Sequence, residues 1–177
     1  MNQMNNLIVI LFFLFVSWAN VSFAQQKDAK QANDTLYMKA QEFVVLDSAG
    51  KEVKLSDFRG KNVLVDFGAT WCTPCQSLFQ ILKSIYKDVK REDLVFISVS
   101  LDEKKEDWLK SLREEKLPWL YLWDKNGFKT SFLKGQFHFQ QIPHLVLLNK
   151  EGKVVVNQIN VFFPDEIKKE ILKLYEK

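Results

Sequence analysis

Cys72 and Cys75, with Thr73 and Pro74 between them, are the only thiols in a chain of 177 residues. Cysteines at i and i+3 of a helix start share one face, with Cβ atoms close enough for a disulfide to form or open with little backbone change. Both redox states then fit one fold. At the helix N-terminus Cys72 meets free N–H groups and the positive end of the dipole, which favour its thiolate and make it the expected attacking group. Cys75, one turn further in, lacks that advantage; it is expected to be buried and to resolve the mixed disulfide. Pro74 suits this placement, because a missing N–H costs nothing in the first turn of a helix. The rivals are a structural staple and half of a zinc site. So short a loop gives little stabilisation by loop entropy, and zinc takes four ligands where the chain has two Cys and two His.

The flanking pattern explains how the pair would be positioned. Asn62 to Phe67 is a near-continuous apolar run, as in a strand buried on both faces. After Cys75 the period changes, with Leu78, Leu82, Ile85 and Val89 at helical spacing, joined by Phe79, Ile81 and Tyr86. Leu94 to Leu101 reads as a second core strand, and Glu103 to Lys116 as a charged helix burying Trp108, Leu109 and Leu112. Leu120 to Trp123 is a short strand closed by a turn, and Phe128 to Gly135 a short helix. Hairpins are expected at Phe43–Leu46 with Glu52–Leu55 and at His144–Leu148 with Lys153–Asn157. Pro164 opens a last helix with Ile167, Ile171, Leu172 and Leu174 as its buried stripe. Strands alternating with helices predict an α/β fold with a mixed central sheet flanked by helices.

Composition narrows the setting. Almost half the residues are apolar (47%), enough for one domain with a true core, and a net charge of +3 without a basic stripe gives no support to nucleic-acid binding. Leu7 to Val16 is a charge-free apolar run that ends, after small residues, at Ala24. It reads as a secretory signal cleaved after Ala24, with an uncleaved membrane anchor at residues 7–19 as the alternative. Residues 25–40 are polar and are expected to be a linker, and residues 41–177 to be the domain. Export would place the pair where disulfides persist.

The stretch Val63 to Cys75, VLVDFGATWCTPC, resembles the active-site signature of the thioredoxin superfamily. Leu55 to Lys61, the Ile142–Pro143 step and Asn149 to Lys153 are similar to its exported TlpA/ResA-like branch. The resemblance implies a thioredoxin fold with an N-terminal hairpin and a helix-strand insertion before a cis-proline. It also implies a reversible Cys72–Cys75 disulfide with no bound cofactor, protein disulfides as substrates, and a membrane-bound thiol donor as the source of electrons.

Asp66 interrupts the apolar strand just before the pair. In the family an acid here lies beneath the second cysteine and moves its proton through water. From physical chemistry alone, a carboxylate in an apolar strand is costly unless protonated, so burial should raise its pKa into a range useful for exchange with Cys75. The bland reading is an Asp capping the nearby turn. Where thioredoxin often has a lysine beside that acid, an ungapped comparison gives Ser98. For Pro143 the default from sequence is a trans bond. The resemblance reverses that default and implies a cis Ile142–Pro143 bond facing the cysteines, with the Ile142 backbone free to pair with an extended substrate. Trp71, Thr73 and Pro74 would complete the docking surface.

Two other functions remain open at this point. A thiol peroxidase would place Thr-x-x-Cys after a proline, and Thr70-Trp71-Cys72 has neither that spacing nor the proline. A copper-handling protein would recruit His144, which departs from the threonine usual after that proline; such relatives space their cysteines by three residues. Thr73-Pro74 resembles the dipeptide of reducing members, and an acid at Asp66 agrees with it. The expected activity is reduction of disulfides in exported proteins such as apocytochromes c.

Overall fold

The computed structural model describes residues 39–89, 91–158, 161 and 163–176. The expected leader at 1–24 and most of the expected linker lie outside these residues.

A central seven-stranded sheet has the order β2-β1-β5-β4-β3-β6-β7. The first hairpin pairs β1 (Val44–Leu46) with β2 (Glu52–Lys54). A single 3₁₀ turn, Leu55–Phe58, then leads to β3 (Asn62–Gly68), every residue of which is buried. Strand β4 (Leu94–Ser100) runs parallel to β3, and β6 (His144–Leu148) antiparallel to it on the other side. β7 (Val154–Asn157) closes the far edge. The sheet is therefore mixed, as the alternating pattern requires.

The insertion consists of α2 (Lys105–Glu115) and β5 (Leu120–Trp123). β5 adds to β4 in parallel and joins the hairpin through a pairing of Leu46 with Trp123. Helix α2 is shorter than the 103–116 run expected from sequence: Lys104 stays extended as its N-cap, and Lys116 turns left-handed at φ 47° and ends it. A second difference concerns Phe128–Gly135, which is two one-turn helices, α3 (Gly127–Thr130) and α4 (Leu133–Gln136). Ser131 breaks the run: its hydroxyl donates to Asp124 Oδ2 at 2.6 Å and accepts from the Leu133 N–H. Such side-chain bonds compete with the helix ladder.

Alternation along the strands sends two sets of side chains to opposite faces. Leu64, Phe96, Leu145 and Leu147 pack with Leu78 and Leu82 of α1 (Thr73–Asp88) and with Ile167 and Ile171 of α5 (Pro164–Lys173). On the other face Val65, Phe67, Ile97, Val99 and Val146 meet Phe43, Leu133, Phe137 and Phe139. Helix α2 lays the fully buried Trp108 against Tyr121 and Phe79. Among the described residues no helix is long and apolar enough to cross a membrane.

Candidate active site

The C-terminal end of β3 delivers the chain directly into α1. Cys72 is the N-cap, in extended backbone, and Thr73 and Pro74 occupy the first turn. Its sulfur accepts the Cys75 N–H at 3.3 Å, one of the donors a helix start leaves without an intrahelical partner. The same donors and the dipole would hold a thiolate there. Cys72 and Cys75 are joined as a disulfide, with Cα atoms 5.3 Å apart. Cys72 keeps 6% of its surface and Cys75 none. An incoming sulfur can therefore approach only Cys72.

Gly68 sets how closely α1 sits on the sheet. A Cβ at that position would lie 3.3 Å from the Cys75 Cβ and 3.5 Å from its sulfur. Asp66 lies two residues earlier on the same face of β3. It is 2% exposed and caps no turn; instead it stands opposite Ser98 in the parallel register. The Ser98 hydroxyl donates to Asp66 Oδ2 at 3.2 Å, while Oδ1 is buried without a hydrogen-bond partner among the described residues. Burial pushes the carboxyl up to about 7, against a smaller lowering by the Ser98 hydrogen bond.

That shift has a consequence for stability. The folded chain binds a proton at Asp66 that the unfolded chain, titrating near 3.8, has already released. The associated stability is complete below pH 4 and is lost as pH rises through about 7. Asp66→Asn should therefore unfold at higher temperature than the native chain above pH 7, by an upper limit on the order of 4 kcal/mol. The difference should close below pH 4. A variant no more stable at pH 8 than at pH 4, relative to the native chain, would contradict a buried, proton-hungry Asp66.

The loop before the pair is held by a residue that sequence reasoning passed over. Asp102, 1% exposed at the end of β4, accepts from the Thr70 N–H at 3.0 Å and the Thr70 hydroxyl at 2.7 Å. Ser100 donates to its second oxygen at 2.6 Å. The signal in the sequence was an acid directly after a strand, a position where side chains bind nearby backbone. Trp71, 58% exposed, meets Phe128 edge-on at 5.6 Å, and Phe128 in turn lies under the Lys134 ammonium.

Across the pair the Ile142–Pro143 bond is cis. Pro74, His138, Phe139, Ile142 and Pro143 line an open groove of about 870 Å³. His144 follows on β6 with its ring stacked on Phe139 at 4.7 Å. Asn157 gives its amide N–H to the Phe137 carbonyl, so its oxygen faces His144 and accepts from Nε2 at 2.9 Å. Burial pushes the His144 pKa down, opposed by that hydrogen bond. Among the described residues no three His, Cys, Asp or Glu side chains come together as metal ligands.

A family model described as thioredoxin-like matches residues 60–154, from the turn before β3 to the start of β7. The chain belongs to the thioredoxin-like family. Within it, the chain is 29% identical over 152 residues to the thiol-disulfide oxidoreductase ResA of Bacillus subtilis, which covers 84% of this chain and 78% of that protein. The thioredoxin domain of a thiol-disulfide oxidoreductase from Bacteroides vulgatus superposes with a TM-score of 0.69 at 28% identity, covering 78% of this chain and 96% of that one. A thiol:disulfide interchange protein from Bacteroides sp. gives a TM-score of 0.67 at 29% identity, covering 77% and 88%. With its Cys72–Cys75 pair in this thioredoxin-like frame, the chain is a thiol-disulfide oxidoreductase of the ResA type.

Proposed function

We propose that this oxidoreductase is an exported reductant, acting in the periplasm on disulfides of proteins such as apocytochromes c. The observation that carries it is the asymmetry of the pair: one sulfur reachable at a helix N-terminus, the other enclosed over Gly68, with the buried Asp66 two residues earlier on the same face of β3. The Cys72 thiolate attacks one sulfur of a substrate disulfide and expels the other as a thiolate. Cys75, deprotonated through Asp66, then attacks the Cys72 sulfur. The substrate leaves with two thiols, and the protein keeps a disulfide. A membrane-bound dithiol donor reverses that oxidation. No bound cofactor enters the cycle.

Substrate recognition in this reading is extended pairing with the Ile142 backbone beside cis-Pro143, with Trp71, Thr73 and Pro74 on the opposite side of the groove. Residues 1–24 act as the leader, cleaved or retained as an anchor at 7–19, residues 25–40 as the linker, and residues 41–177 as the catalytic domain. Support for the reducing direction comes from Thr73-Pro74, the dipeptide type of reducing relatives, and from the acid at Asp66.

Trapping tests the reading. Cys75→Ser, expressed with its leader, is expected to hold exported substrates as mixed disulfides on Cys72, released by dithiothreitol, with apocytochromes c among them. Recovery of only cytoplasmic partners, or none, would refute the proposed location and substrates.

A further inference from the structure

Among the described residues Asp66 has no cationic partner, yet one of its oxygens is held through a chain of two hydrogen bonds that starts at Trp119, the residue before β5. The indole N–H of Trp119 donates to Ser98 Oγ at 3.0 Å, and Ser98 Oγ donates to Asp66 Oδ2 at 3.2 Å. Ser98 is 1% exposed and lies opposite Asp66 in the β3–β4 register. Trp119 is held in place by Tyr86 and Phe96, with ring centroids 5.5 and 5.7 Å away.

The donor and acceptor inventory gives this chain a direction. An indole N–H only donates, whereas a serine hydroxyl has one hydrogen and two lone pairs. Trp119 occupies a lone pair of Ser98, so the hydroxyl hydrogen is spent on Asp66. In a protonated carboxyl the carbonyl oxygen is the better acceptor. The oxygen facing Ser98 therefore becomes the carbonyl, and the proton goes to the other oxygen, which has no partner among the described residues.

We propose that Trp119 and Ser98 are positioning residues for Asp66: they commit Oδ2 to accepting and keep the exchangeable proton on Oδ1. The chain also favours the carboxylate, through a hydrogen bond made to its charged form. This inference rests on the reading of Asp66 as the proton carrier for Cys75. The groups around Asp66 permit a clean test. On its face α1 contributes Cys75, over Gly68, and β5 contributes Tyr121, whose phenol is pushed up by burial. β6 places Leu145 opposite Asp66, while His144 pairs with Phe67. In the oxidised protein Cys75 does not titrate.

The measurement is the Asp66 carboxyl ¹³C shift against pH in the oxidised protein. Ser98→Ala should raise the midpoint by about one to two pH units, the worth of a hydrogen bond to a charged group. Ser98→Thr, which keeps the hydroxyl, should leave it in place. Trp119→Phe, which retains the packing on Tyr86 and Phe96, should raise it by less, and should move it no further when added to Ser98→Ala. An unmoved midpoint in Ser98→Ala or Trp119→Phe would overturn the chain, as would a Trp119→Phe shift of equal size in both backgrounds. The kinetic role is read separately. If the midpoints shift as expected but the pH profile of disulfide exchange does not follow them, the chain stands and Asp66 is not the proton carrier.

Discussion

Cys72→Ser is expected to reduce insulin disulfides no faster than dithiothreitol alone. The whole cycle passes through one sulfur, because Cys75 is fully enclosed and only Cys72 retains exposed surface. A serine hydroxyl at the α1 N-terminus stays protonated near neutral pH and cannot form a disulfide, so neither the dipole nor the capping geometry rescues it. The loss should be complete rather than graded, and the fold should survive, since serine is itself a favoured N-cap. Turbidity of precipitating insulin B chains reads the rate, and far-ultraviolet circular dichroism checks the fold. Catalysis that persists in Cys72→Ser would require Cys75 to attack first, which its burial does not allow.

The second large effect falls on Asp66. With its carboxyl pushed up to about 7, Asp66 exchanges its proton in the neutral range, the condition under which general acid-base catalysis is most effective. Asp66→Asn removes that base while preserving shape and an acceptor for Ser98. Reaction of the reduced protein with an aromatic disulfide reagent separates the two steps, since attack by Cys72 releases the first chromophore and resolution by Cys75 the second. The first phase should be nearly unchanged, and the second should slow by about 100-fold at pH 7, the low end of what a positioned acid or base contributes. The gap should narrow as pH approaches the ordinary thiol range, where Cys75 ionises unaided. Equal slowing of both phases would make Asp66 a structural residue.

Much of this was visible in the sequence, for identifiable reasons. β3, β4 and α1 are long and strongly patterned, and the change from a continuous apolar run to helical spacing brackets the Cys pair. Asp66 stood out because a charge inside such a run demands an explanation. Phe128–Gly135 misled because its break depends on one hydroxyl reaching Asp124, which no periodicity records. Ser98 was placed beside Asp66 by the resemblance alone, with no sign of the hydrogen bond it makes, and Asp102 could not be connected to the site from sequence, since it meets Thr70 across 32 positions. Trp119 reads as packing until the hydrogen bond to Ser98 is seen. His144, which as a sequence feature invited a metal, is occupied by Asn157 and Phe139.

The central claim is that Cys72 and Cys75 form a reversible two-electron couple on the reducing side of this fold's range. That range separates about −270 mV for thioredoxin from about −120 mV for DsbA, roughly 7 kcal/mol for two electrons. Equilibration in dithiothreitol or glutathione buffers, followed by acid quench, alkylation and mass measurement, places the couple directly. A single two-electron transition near the thioredoxin value is predicted. A transition near the DsbA value, or a pair that does not titrate reversibly, would contradict it.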